Sequence, residues 1–167
     1  MFGTKLATTA AVIALTFTTA AAADTYKKYG EVEGWNVFID NEKKTCLIEA
    51  VDSAENVVQM GLTEDRSVGY LGVFTKGETK ITRDNKEPVA ILIGENLYVG
   101  EATGMRGNIT KGYSGGYVTS DNPMFVKDVE QQYEMIVFPN SAYSFIVDLA
   151  GTKKAIAMAR ECNKAQM

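Results

Sequence analysis

Apolar and polar residues alternate in short runs along most of the chain. Trp35, Val37 and Ile39 share one face of a segment whose other face carries Asn36, Phe38 and Asp40. A period of two over six residues predicts a strand. A polar turn at Asn41–Lys44 leads to a second strand over Thr45–Val51, so the pair reads as a hairpin. Asp52–Asn56 is another turn, and Val57–Leu62 a third strand. Residues 24–33 read as a polar lead-in to this group.

Val68–Thr75 is apolar and β-rich, and Gly69 and Gly72 within it predict a bulge or a close backbone approach. Residues 76–88 are charged, with Thr79–Thr82 as a short edge strand. Val89–Ile93 is a continuous apolar run, expected to be a buried strand. Gly94–Asn96 turns it into Leu97–Ala102, another hairpin. Residues 103–116 are rich in glycine and polar residues and read as a long loop.

Two segments change period. After Ser120-Asp121-Asn122-Pro123, a capping residue followed by proline, Phe125, Val126, Val129 and Tyr133 recur at helical spacing. This predicts a helix near 123–132. Glu134–Phe138 is then a strand, stopped by Pro139. Tyr143, Phe145, Val147 and Leu149 alternate with Ser144, Ile146 and Asp148 to give the last strand. Gly151 and Thr152 open a C-terminal helix near 153–163, with Thr152 as its expected cap. Ala155, Ile156, Ala159 and Cys162 form its apolar stripe. Nine or ten short strands (roughly) with two helices predict a mostly β fold, an antiparallel β-sandwich or barrel with helical additions.

The first 23 residues stand apart. Lys5 precedes an uncharged run from Leu6 to Thr19, and Ala21 and Ala23 form an A-x-A site before Asp24. This is the three-part pattern of a cleaved secretory signal peptide. The expected mature chain, 24–167, is one β-rich domain, large enough for a real core. The apolar run Leu6–Thr19 is too short and too rich in threonine to anchor stably in a bilayer, and no second such run follows. The formal net charge is −4, without a Lys/Arg cluster, which argues against nucleic acid as a partner.

The chain has only two cysteines, Cys46 and Cys162. In an exported chain they read as one disulfide; two free thiols or a redox pair are the alternatives, although no C-x-x-C spacing is present. The bond would tie the last helix to an early strand. There is no histidine, which removes the commonest general base, the commonest metal ligand and every Ser-His or Cys-His pair. Neither a metal nor a cofactor is expected, and no catalytic residue is assigned.

Several residues are candidates for binding. Tyr113 and Tyr117 flank Ser114-Gly115-Gly116, read as a flexible turn before a helix start, and tyrosines supply amphipathic contact area for a sugar or peptide. Tyr70 and Arg66 lie on or near a loop with Glu64 and Asp65, where arginine can orient an anionic group. The same residues also read as a tyrosine pair packed on the core edge and a solvated turn. Asp40, Glu42, Asp52 and Glu55 lie at strand ends, and paired carboxylates can hydrolyse glycosides without histidine. Met60, Met105, Met124, Met135, Met158 and Met167 are scattered, as core filling requires. Asn108–Thr110 matches a glycosylation sequon by chance.

The order of these segments resembles the invasion-associated locus B family. Gly34-Trp35-Asn36-Val37 and Lys44-Thr45-Cys46 are similar to that family's opening. Asp121–Val126 followed by Tyr133–Val137 is similar to its helix and strand. Phe145–Gly151 with Ala155, Ile156 and Cys162 is similar to its closing strand, turn and helix. The likeness covers both ends of the mature chain and is weak over residues 62–118. Many members carry a further cysteine just after the tryptophan strand; here Ile39 and Asp40 occupy that region. The resemblance implies an exported protein of a Gram-negative bacterium and brings no catalytic residue with it. The expectation is a non-catalytic periplasmic or secreted binding or interaction protein of the cell envelope, with a protein or glycan as ligand. The alternatives are a carboxylate-dependent enzyme acting on glycans and a periplasmic inhibitor of another protein.

Overall fold

The computed structural model describes residues 25–76, 86–106, 113–142 and 144–167. The predicted signal peptide, the edge strand at 79–82, the sequon at 108–110 and Tyr143 lie outside them. The strands are β1 (Tyr26–Val32), β2 (Trp35–Asp40), β3 (Thr45–Val51), β4 (Val57–Leu62), β5 (Gly69–Thr75), β6 (Lys86–Ile93), β7 (Asn96–Arg106), β8 (Ser114–Ser120), β9 (Glu134–Val137) and β10 (Phe145–Asp148). The helices are α1 (Pro123–Gln131), between β8 and β9, and α2 (Thr152–Ala165) at the end.

All pairings are antiparallel, in the order β1-β2-β3-β4-β5-β8-β7-β6-β9-β10. β1 and β10 are edges, so the sheet is open and is not a closed barrel. It folds over itself as a sandwich. Trp35, Val37, Ile48, Val58 and Leu71 from the first half share one core with Ile91, Ile93, Met135, Val137 and Val147 from the second. The alternation of β2 is legible in this core: Trp35 and Val37 are buried on the inner face, and Asn36 and Phe38 are less buried on the other. The ends of the sheet are sutured where Trp35 Nε1 donates to the Ala150 carbonyl at 2.7 Å.

Three local expectations need correction. The polar lead-in is strand β1. Only two residues separate it from its partner β2, and both, Glu33 and Gly34, have positive φ, a turn that matches strand twist. The pairing supplies what the weakly apolar sequence lacks. The stretch read as a long loop at 103–116 is strand at both of its ends, since β7 runs to Arg106 and β8 begins at Ser114. Gly115 and Gly116 therefore lie inside a strand rather than in a turn. Thr152 does not cap α2 by accepting an N–H: Gly151 is the cap, in the left-handed region, and the Thr152 hydroxyl donates to the Leu149 carbonyl.

α1 begins as its sequence predicts. The Asn122 side chain accepts from Met124 N at 3.0 Å, and Pro123 is the first helical residue. α2 buries Ala155, Ala159 and Cys162 against the sheet. Cys46 on β3 and Cys162 form a disulfide with Cα atoms 6.0 Å apart.

Candidate functional site

The register places Glu49, Gln59, Gly72 and Tyr117 in one row across β3, β4, β5 and β8. They lie on the sheet face opposite the core. With no side chain at Gly72, the Tyr117 ring lies over it and reaches β4. The Tyr117 hydroxyl donates to Gln59 Oε1 at 2.6 Å, and Gln59 Nε2 donates to Glu49 Oε2 at 2.6 Å. The register runs through Gly72 without a bulge, and what approaches it is a tyrosine side chain rather than backbone. Tyr70 repeats the device one row away, lying over Gly61, and meets Tyr117 edge-on at 5.6 Å between ring centroids. Burial pushes both phenols well above their ordinary range.

Tyr70 and Tyr117 are therefore together. Tyr113 is beside Lys76, whose ammonium sits 5.5 Å from its ring centroid. Lys76 follows β5 and Arg66 precedes it, so Tyr113 and Arg66 are separated by the length of the strand, about 20 Å. The four candidates do not form one site.

Arg66 has positive φ in the turn between β4 and β5 and donates Nη2 to the Lys44 carbonyl at 2.7 Å. Asp65 closes this turn. It accepts from the Thr63 hydroxyl and from the Ser67 hydroxyl and N–H, and these bonds, Thr63 first, hold its carboxyl down to about 2.

The early carboxylates are engaged in turns as well. Asp40 accepts from the backbone of Glu42 and Lys43, and Asp52 from Ala54 and Asn56. Asp40 and Glu42 lie at one end of β3, and Asp52 and Glu55 at the other, about 20 Å away. A glycosidase pair needs roughly 5–9.5 Å, so the four do not converge on one point and no pair forms across the length of β3. Among the described residues, no group of three or more His, Cys, Asp or Glu could hold a metal ion. Met135 is buried and Met60 and Met158 pack against the core, while Met124 and Met167 are exposed.

A concavity that the sequence did not announce lies between the helices and the inner face of the sheet. Its volume is about 230 Å³. Ile48, Met60 and Leu62 form the sheet wall; Phe125, Val126 and Val129 of α1 form the second; Ile156 and Ala159 of α2 form the third, with Cys46 among the lining residues. Tyr70 also borders it. Ser120, Arg160 and Asn163 are its polar residues. Interiors ordinarily leave few voids larger than a water molecule, yet each wall here is fixed from elsewhere. α2 is held by the disulfide and by Asn163 Oδ1, which accepts from Cys46 N at 2.9 Å. α1 leans on α2 and is pinned to β7, where Asp128 accepts from Asn96 Nδ2 at 2.8 Å and from the Tyr98 hydroxyl. Burial, then that hydrogen bond, pushes Tyr98 up to about 12. Phe125 meets the Tyr98 ring edge-on at 4.8 Å.

Leu62, Arg160 and Asn163 also line an adjoining recess, together with Arg66 and Lys164. Arg160 and Glu130 approach to 2.7 Å as an ion pair, with no directed hydrogen bond to the buried Glu130 Oε1. The apolar stripes on α1 and α2 were legible in the sequence; the gap between them and the sheet was not, because it depends on how far α1 is held from β4 and β5.

No helix among the described residues is long and apolar enough to cross a membrane. Comparison of the sequence with models of known families and with characterised proteins gives no match. Among solved structures, the chain is similar to the crystal structure of invasion-associated protein B from Bartonella henselae. The TM-score is 0.55 at 13% identity, over 81% of this chain and 99% of that one. At such identity the likeness is one of fold, and the chain shares the fold of that protein.

Proposed function

We propose that this chain is a non-catalytic binding or interaction protein of the bacterial cell envelope, exported to the periplasm or secreted, in the manner of the invasion-associated locus B proteins. The observation that carries this reading is the apolar pocket. Two helices, one stapled by a disulfide and one pinned through Asp128, are held over the sheet with space left between them. Pockets of this kind, apolar with a few polar groups at the mouth, are the usual form of a small-ligand site. The N-terminal signal pattern and the disulfide support an oxidising compartment, and the fold likeness is consistent with an envelope protein.

Of the residues singled out in the sequence, Arg66 borders the recess beside the pocket. Tyr70, Tyr117 and Tyr113 belong to the outer face, where a protein or glycan would meet them. The test is retrieval of the protein from its native envelope fraction, with mass spectrometry of whatever it retains. The expected result is a chain beginning near Asp24, without titratable thiols, that carries a small molecule or a stoichiometric partner. A chain that keeps its leader inside the cell, or is recovered empty in repeated preparations, overturns the reading.

A further inference from the structure

We infer that the pocket takes the aliphatic chain of a single-chain amphiphile whose anionic head, carboxylate or phosphate, sits at Arg66 and Arg160. The inference rests on the binding-protein reading and names its ligand. The walls dictate the tail. They are aliphatic and aromatic carbon on three sides, so a polar ligand would lose its hydration without finding partners there. An apolar cavity of roughly 150 Å³ holds benzene, so on the same scale about 230 Å³ holds roughly eight to ten carbons.

The mouth dictates the head. Asn163 uses both ends of its amide, accepting from Cys46 N and donating Nδ2 to the Ala159 carbonyl at 3.0 Å. It therefore offers little to a ligand. The two guanidinium groups offer more. The Arg160 side chain makes no hydrogen bond among the described residues, and its only ionic partner there is Glu130. Arg66 gives a single N–H to the Lys44 carbonyl and has no carboxylate partner among the described residues. Lys164, paired to Glu161 at 2.8 Å, answers the negative end of α2. Arg66 and Arg160 thus keep forked donors of the geometry that carboxylates and phosphates accept.

Calorimetric titration of the intact protein with hexanoate, octanoate, decanoate and dodecanoate, kept below their aggregation concentrations, tests the tail. Affinity is expected to rise roughly fourfold per methylene and to level off near decanoate. Octyl phosphate and 1-octanol test the head. Octanoate and octyl phosphate should both bind at least tenfold more tightly than the alcohol. Val126→Trp, which fills the pocket from α1, should abolish binding. Because that variant risks misfolding, the pair Arg66→Gln, half-buried, and Arg160→Gln, exposed, provides a second measure. It should reduce octanoate binding to the level of octanol and leave octanol unchanged. Equal binding of acid and alcohol by the wild type overturns the anionic head and leaves the binding-protein reading standing. No dependence on chain length, or unchanged binding in a folded Val126→Trp, overturns the pocket as the site. A protein that binds none of these probes yet retains a partner from the envelope overturns this inference alone.

Discussion

Gly72 and Gly115 stand on neighbouring strands, and an added methyl group would meet something different at each. At Gly72 a Cβ would lie 2.4 Å from the Tyr117 ring; at Gly115 it would lie 2.0 Å from the Val73 carbonyl oxygen. A ring can be removed by substitution, and a backbone carbonyl cannot. Gly72→Ala is therefore expected to cost about 1–3 kcal/mol through overpacking, and most of that cost should vanish in a Tyr117→Ala background. Tyr117→Ala has its own penalty, since it leaves buried Gln59 without the hydroxyl at Oε1. Gly115→Ala should cost more than Gly72→Ala in either background. Urea unfolding of the four-member Gly72/Tyr117 cycle measures the coupling. A Gly72→Ala cost that is the same with and without the ring would show that the ring is not what fills the space.

At the scale of elements, α2 depends on a covalent tie. The 116-residue separation of Cys46 and Cys162 gives a chain-entropy stabilisation of about 4–5 kcal/mol, an upper figure for a native bond. Cys46→Ala and Cys162→Ala should lower the melting temperature by similar amounts, and the double variant should be no worse than either. Wild-type melting that is indifferent to reductant would count against the tie. This element was legible because cysteine count, alternation and helical stripe agreed with one another. β2, β3 and α1 were legible for the same reason. β1 was not: its residues Tyr26-Lys27-Lys28-Tyr29-Gly30 are exposed or half-buried on both faces, so no alternation of burial is written into them. It becomes a strand because β2 offers a paired edge across the Glu33–Gly34 turn. β8 was hidden by its glycines, which read as loop residues until Tyr117 is seen lying over Gly72 and Gly115 against Phe74. The tyrosines themselves were found, but their grouping was not. Whether Arg66 and Tyr113 share a site depends on which end of β5 each occupies, and that follows from pairing register rather than local sequence.

For the whole molecule, the question is whether ten strands in one order behave as one unit or two. The pairing alone would allow the β1–β5 half to melt apart from the β6–β10 half at the β5–β8 and β8–β7 seams. Side chains oppose that. Residues of both halves lie in a single core, and the first hairpin is fastened to the final turn in several ways. Trp35 donates to the Ala150 carbonyl, Gly151 packs against Glu33 and Trp35, and Lys154 pairs with Glu33. Trp35 is the sole tryptophan and is 2% exposed, so its emission reports closure of the sandwich, whereas far-UV circular dichroism reports the strands themselves. A shared core makes the two inseparable. The unfolding curves in urea should superimpose for the wild type. They should also superimpose, at a lower midpoint, for the variant lacking both cysteines, because the tie limits the unfolded chain while the core couples the halves. If Trp35 emission shifted before the dichroism in that variant, the disulfide rather than the core would be what holds the two halves together.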